Sequence, residues 1–153
     1  MRYFFLDAII VVDTNILVAA LRRGSGSARA VVRACLNAQY QAVLGPALLA
    51  EYEDVLGRAA LWQKTPSVRV SASERAAVLD AFLQNCRWVE VYFAWRPNLP
   101  DEADNHLIEL ALAGQASAIV TRNLRDLRGG ELKFPTLQVL TPKEAWETLL
   151  CQL

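Results

Sequence analysis

A chain of 153 residues, 54% hydrophobic and 21% charged, is long enough for one packed core, too short for two ordinary domains and unlike a disordered chain, so a single domain over residues 1–153 is expected. Its 16 basic and 16 acidic residues cancel, so no global field draws in a nucleic acid and any such partner must be held by a local patch. Cys35, Cys86 and Cys151 are odd in number and form no CxxC pair, which excludes the usual zinc and disulfide patterns and predicts reduced thiols in a cytoplasmic protein.

Asp7 and Asp13 interrupt the opening apolar run, and no stretch approaches the roughly 20 apolar residues of a membrane span, so no membrane partner is expected. Ala8 to Val12 is apolar and β-branched, as in a strand covered on both faces of a parallel sheet. Asp13 ends it. A helical pattern runs from Thr14 until Gly24-Ser25-Gly26-Ser27 breaks it, and Ala28 to Ala38 reads as a second helix. Gln41 to Leu44 is a second strand, stopped by Gly45-Pro46, after which Ala47 to Leu56 has helical periodicity.

Residues 62 to 71 read as a polar connection. Ala72 to Cys86 predicts a helix with Val78, Leu79 and Phe82 inward, and Trp88 to Tyr92 a third strand. Pro97 to Pro100 leads into a helix over Asp101 to Ala113, ended by Gly114. Ser117 to Thr121 and Leu137 to Leu140 complete the strands. Thr141-Pro142-Lys143-Glu144 opens the last helix, with Thr141 as N-cap, Pro142 at the first position and Glu144 closing a capping box. Alternating strands and helices predict an α/β protein, three-layered α/β/α, with a mainly parallel central sheet of about five strands.

The loops leaving the C-terminal strand ends of such a sheet collect at one edge, where open α/β sheets bind ligands. Asp13 leaves the first strand there, and Asp126 follows the fourth strand after the short loop Arg122-Asn123-Leu124-Arg125. On the helix from Asp101, a spacing of 3.6 residues per turn puts Asp104 on one stripe with Leu107, Ile108, Ala111 and Leu112, pointing it at the core. A carboxylate held against apolar surface is costly unless paired, hydrogen-bonded or bound to a cation, so a metal is suspected. On the helix after Pro46, Leu48, Leu49, Tyr52, Val55 and Leu56 define the buried face, and helix geometry alone does not choose between Glu51 and Glu53 at its borders. Taken singly, each acidic residue also reads as a cap or a solvated charge. His106 is expected on the solvent face of its helix.

Four segments in this order, Ile10-Val11-Val12-Asp13-Thr14-Asn15-Ile16-Leu17, Leu49-Ala50-Glu51-Tyr52, Asp104 to Ala113 and Ile119-Val120-Thr121-Arg122-Asn123, resemble the PIN-domain family, in particular its branch of toxins from bacterial toxin and antitoxin pairs. The resemblance covers about Ile9 to Leu150 and implies a PIN-like fold and a ribonuclease using Mg²⁺ or Mn²⁺. It carries a catalytic acidic set onto Asp13, Glu51, Asp104 and Asp126, which decides for Glu51 over Glu53, with Asp13, Asp104 and Asp126 as metal ligands. It implies further that Thr14, Asn15, Thr121 and Asn123 orient ligands and water, that the protein forms a homodimer, and that a small antitoxin protein silences it. Two positions depart from the branch: Asn105 stands where many relatives carry a second consecutive Asp, and Asn123 where others have Asp, which favours one firmly held metal over two.

A bound divalent metal can supply the activated water, the neutralised phosphate and the stabilised leaving oxygen of phosphodiester hydrolysis, so in-line water attack on RNA leaving a 5′-phosphate is expected. Arg22, Arg23, Arg29 and Arg33, and across a groove Arg122, Arg125 and Arg128, could contact phosphates, although solvated surface is an equal reading. Trp62, Trp88, Trp95 and Trp146 are assigned to packing or a dimer surface rather than to substrate. Two alternatives come from other classes. One is a catalytically inactive fold of the same family that binds nucleic acid or protein. The other is a receiver-like phosphoacceptor module, suggested by Asp13, Thr121 and Lys143 after the first, fourth and fifth strands but lacking an acceptor Asp after Trp88-Val89-Glu90-Val91-Tyr92.

Overall fold

A computed structural model of the chain describes residues 8–22, 26–58, 71–91, 105–128 and 137–150. Its elements in chain order are β1 (Ala8–Val12), α1 (Thr14–Arg22), α2 (Gly26–Leu36), β2 (Tyr40–Leu44), α3 (Pro46–Leu56), α4 (Ala72–Gln84), β3 (Arg87–Trp88), α5 (Asn105–Ala113), β4 (Ala118–Val120), α6 (Leu124–Arg128), β5 (Gln138–Leu140) and α7 (Pro142–Ala145), which continues as a π-helical turn over Trp146–Leu150. The five strands are all parallel, in the order β3-β2-β1-β4-β5.

The most apolar strand lies at the centre, because only there are both faces covered. Ile10, Val11 and Val12 are fully buried. Helices cover the sheet in a three-layer α/β arrangement, with α5 against β1, β2 and β4, and with α2 and α7 against each other. Two tyrosines fasten helices to strands by their hydroxyls: Tyr40 on β2 donates to the Ala145 carbonyl at 3.0 Å, and Tyr52 on α3 donates to the Val12 carbonyl at 2.5 Å. The Tyr52 ring also meets Phe82 of α4 edge to face, with centroids 5.9 Å apart. Gly45, between β2 and α3, is a close approach: a Cβ there would stand 3.3 Å from Leu110 and 3.3 Å from the Val89 carbonyl.

The β1, β2, β4 and β5 expectations agree with the structure to within a residue or so, and the Thr141 capping box is present in full. A second capping box, Ser71 with Glu74, starts α4. The third strand is shorter than expected. Only Arg87 and Trp88 pair with β2, because the strand is at the sheet edge with a neighbour on one side, and Tyr92 lies outside the described residues. The loop expected up to Arg125 turns helical at Leu124. Most of the polar connection at 62 to 71 lies outside the described residues, as do Pro97 to Pro100.

The strand order also bears on the receiver-like alternative. In that fold class the order is 2-1-3-4-5, with the first strand between the second and third. Here β1 lies between β2 and β4, and Lys143 is an exposed residue of α7. The receiver reading is therefore set aside.

Because Tyr52 is fully buried and its hydroxyl reaches the strand residue preceding Asp13, Tyr52→Phe is expected to destabilise the fold by about 1–2 kcal/mol, the cost of an unmade buried hydrogen bond. Urea unfolding of the two proteins measures it, and an unchanged midpoint contradicts the assignment.

Candidate active site at the C-terminal strand edge

Val12 pairs with Val120 in the β1–β4 register, so the next residues, Asp13 and Thr121, emerge side by side from adjacent strands roughly 4.8 Å apart. Asp13 continues the ladder by donating its backbone N–H to Val120 at 3.0 Å, while its own carbonyl accepts from Ile16 and opens α1. Strand end and helix start thus fall on one residue. Its side chain is consequently fixed at the sheet edge, and the residue is only 8% exposed.

Three donors converge on that carboxylate. Oδ1 accepts from the Thr14 backbone N–H at 2.7 Å, and Oδ2 accepts from the Thr121 hydroxyl at 2.7 Å and from Asn15 Nδ2 at 3.2 Å. Thr121 is itself held, since its Oγ1 accepts from the Asn123 backbone N–H at 2.9 Å, and Asn15 Oδ1 accepts from the Arg122 backbone N–H at 3.2 Å. Burial nevertheless dominates the Asp13 carboxyl and pushes it above its ordinary value; the Thr121 and Thr14 bonds and His106 oppose the rise, while the charge of Glu51 adds to it.

Glu51 comes from α3 and is the second carboxylate at the edge. Its Oε2 lies 2.9 Å from Nε2 of His106 on α5. The His106 hydrogen bond is the largest cause holding Glu51 below its ordinary value, against the upward push of burial, with further help from the imidazole charge, the Thr14 hydroxyl and Arg58. Thr14 Oγ1 is close to Glu51 without closing a hydrogen bond and is a buried oxygen with no protein partner. Glu53 and Asp54 are exposed, Asp54 being paired with Arg58 at 2.6 Å, so of the α3 acids it is Glu51 that faces the edge.

His106 thus corrects the expectation of a solvent-facing residue. Helix α5 buries Asn105, Leu107, Ile108, Leu110 and Ala111, more than one stripe, and this wide face brings His106 against α3. A nine-residue helix with a single charged residue, Glu109, is apolar nearly all round, and that composition was the signal available in the sequence.

The other expected residues are placed as follows. Asn105 is 1% exposed at the start of α5; Asp104, one residue earlier, lies outside the described residues, as does Arg23. Asp126 belongs by its backbone to α6, and its side chain lies outside what the structure describes. Arg122, Asn123 and Arg125 are exposed beside the edge, on the segment that follows β4. Arg22 closes α1, eight residues and so about 12 Å along the helix axis from Thr14, and the structure does not bring it to Asp13. Trp88 and Trp146 are 47% and 40% exposed.

The donor set suits a hard divalent cation, being carboxylate and hydroxyl oxygen, with lone pairs left on Asp13 and an unpartnered oxygen on Thr14. Among the described residues no group of three or more His, Cys, Asp or Glu could hold a metal by itself. Cysteine chemistry has no support here: burial pushes Cys86 up to about 12 and Cys35 higher still, far from a thiolate at neutral pH. Among the described residues no helix is long and apolar enough to cross a membrane.

The PIN domain family model matches residues 9–125, which takes in Asp13, Glu51, Asp104 and Thr121, and the chain belongs to that family. Among curated protein sequences none matches it. The fold is similar to that of VapBC2 from Rickettsia felis bound to a promoter DNA fragment (17% identity, 87% of this chain and 98% of that one, TM-score 0.55). It is similar also to FitAB bound to an IR36 DNA fragment (16% identity, 87% and 94%, TM-score 0.55) and to PAE2754 from Pyrobaculum aerophilum (14% identity, 99% and 94%, TM-score 0.56).

The opposite displacements of the two carboxyls have a measurable consequence. Asp13, raised in the folded state, binds its proton more tightly there than in the unfolded chain, so its contribution to stability is full below 3.8 and is lost as pH rises through the raised value. Glu51, lowered, contributes stability above 4.5 that is lost as pH falls through the lowered value. In EDTA, Asp13→Asn is therefore expected to gain on wild type in urea midpoint as pH rises from 4 to 7.5, and a difference that stays constant over that range contradicts the buried-carboxylate account.

Proposed function

We propose that the chain is a divalent-metal-dependent endoribonuclease and the toxin of a toxin and antitoxin pair, with Asp13, Glu51, Asp104 and Asp126 as its acidic set. The observation that carries this reading is the buried Asp13 carboxyl at the end of the central strand, with Glu51 close enough to disfavour its charge. Placing a second negative group beside a desolvated one is a net cost to the folded chain, and a captured cation turns that cost into affinity. Membership of the PIN domain family supports a nuclease. Likeness of fold to VapBC2 and FitAB, each bound to a DNA fragment, supports an antitoxin partner of the same kind.

On this reading Asp13, Asp104 and Asp126 hold Mg²⁺ or Mn²⁺, which when bound supplies an activated water and neutralises the phosphate. Thr121, Asn15 and the Thr14 N–H keep Asp13 in one orientation, and Asn105 and Asn123 complete the polar surround. Arg122 and Arg125 meet the RNA backbone beside the site; Arg22, at the far end of α1, touches only a longer RNA, and Arg23 follows it in the sequence. The working protein is a cytoplasmic homodimer.

A second reading, a catalytically inactive fold that binds nucleic acid or protein, is favoured by one observation: Asn105, where the branch often has Asp, is buried as a neutral amide.

Incubation of the purified protein with single-stranded and structured RNA in Mg²⁺, Mn²⁺ or EDTA tests the proposal. Cleavage leaving 5′-phosphate ends is expected with metal, abolished by EDTA and restored by added Mn²⁺. Asp13→Asn is expected to lower the rate at least ~100-fold, the upper range for loss of a group that merely supports a metal ligand. Equal activity in wild type and Asp13→Asn, or in metal and EDTA, rejects it.

A further inference from the structure

The Glu51–His106 contact, at 2.9 Å, joins functional groups of α3 and α5, and nothing in the acidic set itself requires a histidine. We propose that His106 is a positioning residue whose Nε2–H holds the Glu51 carboxylate at the strand edge, ready to serve the cation site built on Asp13. This inference rests on the metal-nuclease reading and deepens it.

Three observations support it. First, the contact is 2.9 Å between partly sheltered side chains, 21% exposed for His106 and 38% for Glu51, where a hydrogen bond is stronger and less screened than on open surface. Second, a carboxylate only accepts, so Nε2 carries a proton whether the ring is neutral or charged; Nδ1 is buried with no protein partner, which leaves Nε2 as the working atom. Third, Glu51 projects from a long flexible side chain, and the full hydrogen bond on its carboxylate comes from His106, with the Thr14 hydroxyl only close by; Arg58 is paired with Asp54 instead. Partners of this kind fix the orientation of carboxylates at metal sites, and a Glu51 carboxylate held in place beside the ligand set adds negative charge that favours the cation.

A competing role is direct contact with substrate, because His106 also lines a cleft of about 210 Å³ with Pro46 and Glu109. Kinetics separate the two. A positioning role acts through Glu51, so it lowers kcat and weakens metal binding while leaving KM for RNA nearly unchanged; a substrate contact raises KM.

The experiment compares wild type, His106→Ala, His106→Gln, Glu51→Gln and the Glu51→Gln/His106→Ala double variant. Mn²⁺ affinity is measured by calorimetry without RNA, and kcat and KM for RNA are measured alongside. His106→Ala is expected to weaken Mn²⁺ binding 10–100-fold and to lower kcat by a similar factor. His106→Gln, whose amide N–H can reach the same oxygen, is expected to recover most of both. In the Glu51→Gln background His106→Ala is expected to add less than twofold, since its effect passes through Glu51. Equal losses in the Ala and Gln variants, an additive double variant, or a change confined to KM overturns the inference while the nuclease reading stands. A wild type with neither Mn²⁺ binding nor metal-dependent cleavage overturns both, and an unfolded His106→Ala leaves the His106→Gln and Glu51→Gln comparisons to decide.

Discussion

The carboxylate of Asp13 is the constraint around which this molecule is arranged. It stands where the central strand stops and the first helix starts, so its backbone serves the sheet and the helix at once while its side chain is shut away from water. A desolvated carboxylate requires donors, and the fold brings them from two places: the first turn of α1 supplies the Thr14 N–H and Asn15, and the end of β4 supplies Thr121. That second supply depends on the β1–β4 register. Slipping β4 by one residue would turn Thr121 to the other face of the sheet and leave Asp13 short of its hydroxyl partner.

Glu51 and His106 form a second tier with the opposite electrostatics. Burial raises Asp13, whereas a hydrogen bond from His106 lowers Glu51, so the two carboxyls of the edge are displaced in opposite directions from their ordinary values. Titratable groups pushed apart in this way occur at sites with acid-base or metal chemistry, and this is what makes the edge a candidate site. Had both carboxylates been lowered by cations of the chain itself, a purely structural reading would have been the stronger one.

Much of this was legible in the sequence, and what was missed has a single cause. The run Ala8 to Val12 ending in Asp13 needs only β-branched propensity and a polar stop to be read, and the Thr141 box needs only spacing. What local pattern does not contain is which strands become neighbours. Asp13 and Thr121 are 108 positions apart, and only the order β2-β1-β4 makes them partners. The same holds for helix faces: periodicity could not choose between Glu51 and Glu53, because the group that decides, His106, arrives from another helix. His106 itself was misplaced by treating α5 as a surface helix with one apolar stripe, when five of its nine residues are buried. The third strand was overextended because Trp88 to Tyr92 is rich in β-branched and aromatic residues, but an edge strand with one neighbour stops where that neighbour does.

The formal neutrality of the chain sharpens the proposed function. A protein with a net charge of +0 gains no long-range attraction for a polyanion, and at the strand edge the Glu51 carboxylate, joined by Asp13 wherever that group is ionised, opposes a phosphate. Exposed cations, Arg122 and Arg125, stand on the segment that follows β4 beside that edge, and Arg58, paired with Asp54, acts on Glu51 from α3's end. On the proposed function, a phosphate reaching Asp13 requires that this edge be neutralised first or simultaneously, so cation and RNA would bind with positive linkage, each raising the affinity for the other. On the same reading the arginines by themselves would hold an RNA only alongside the site, and a neutralised carboxylate edge would let a phosphate move into it.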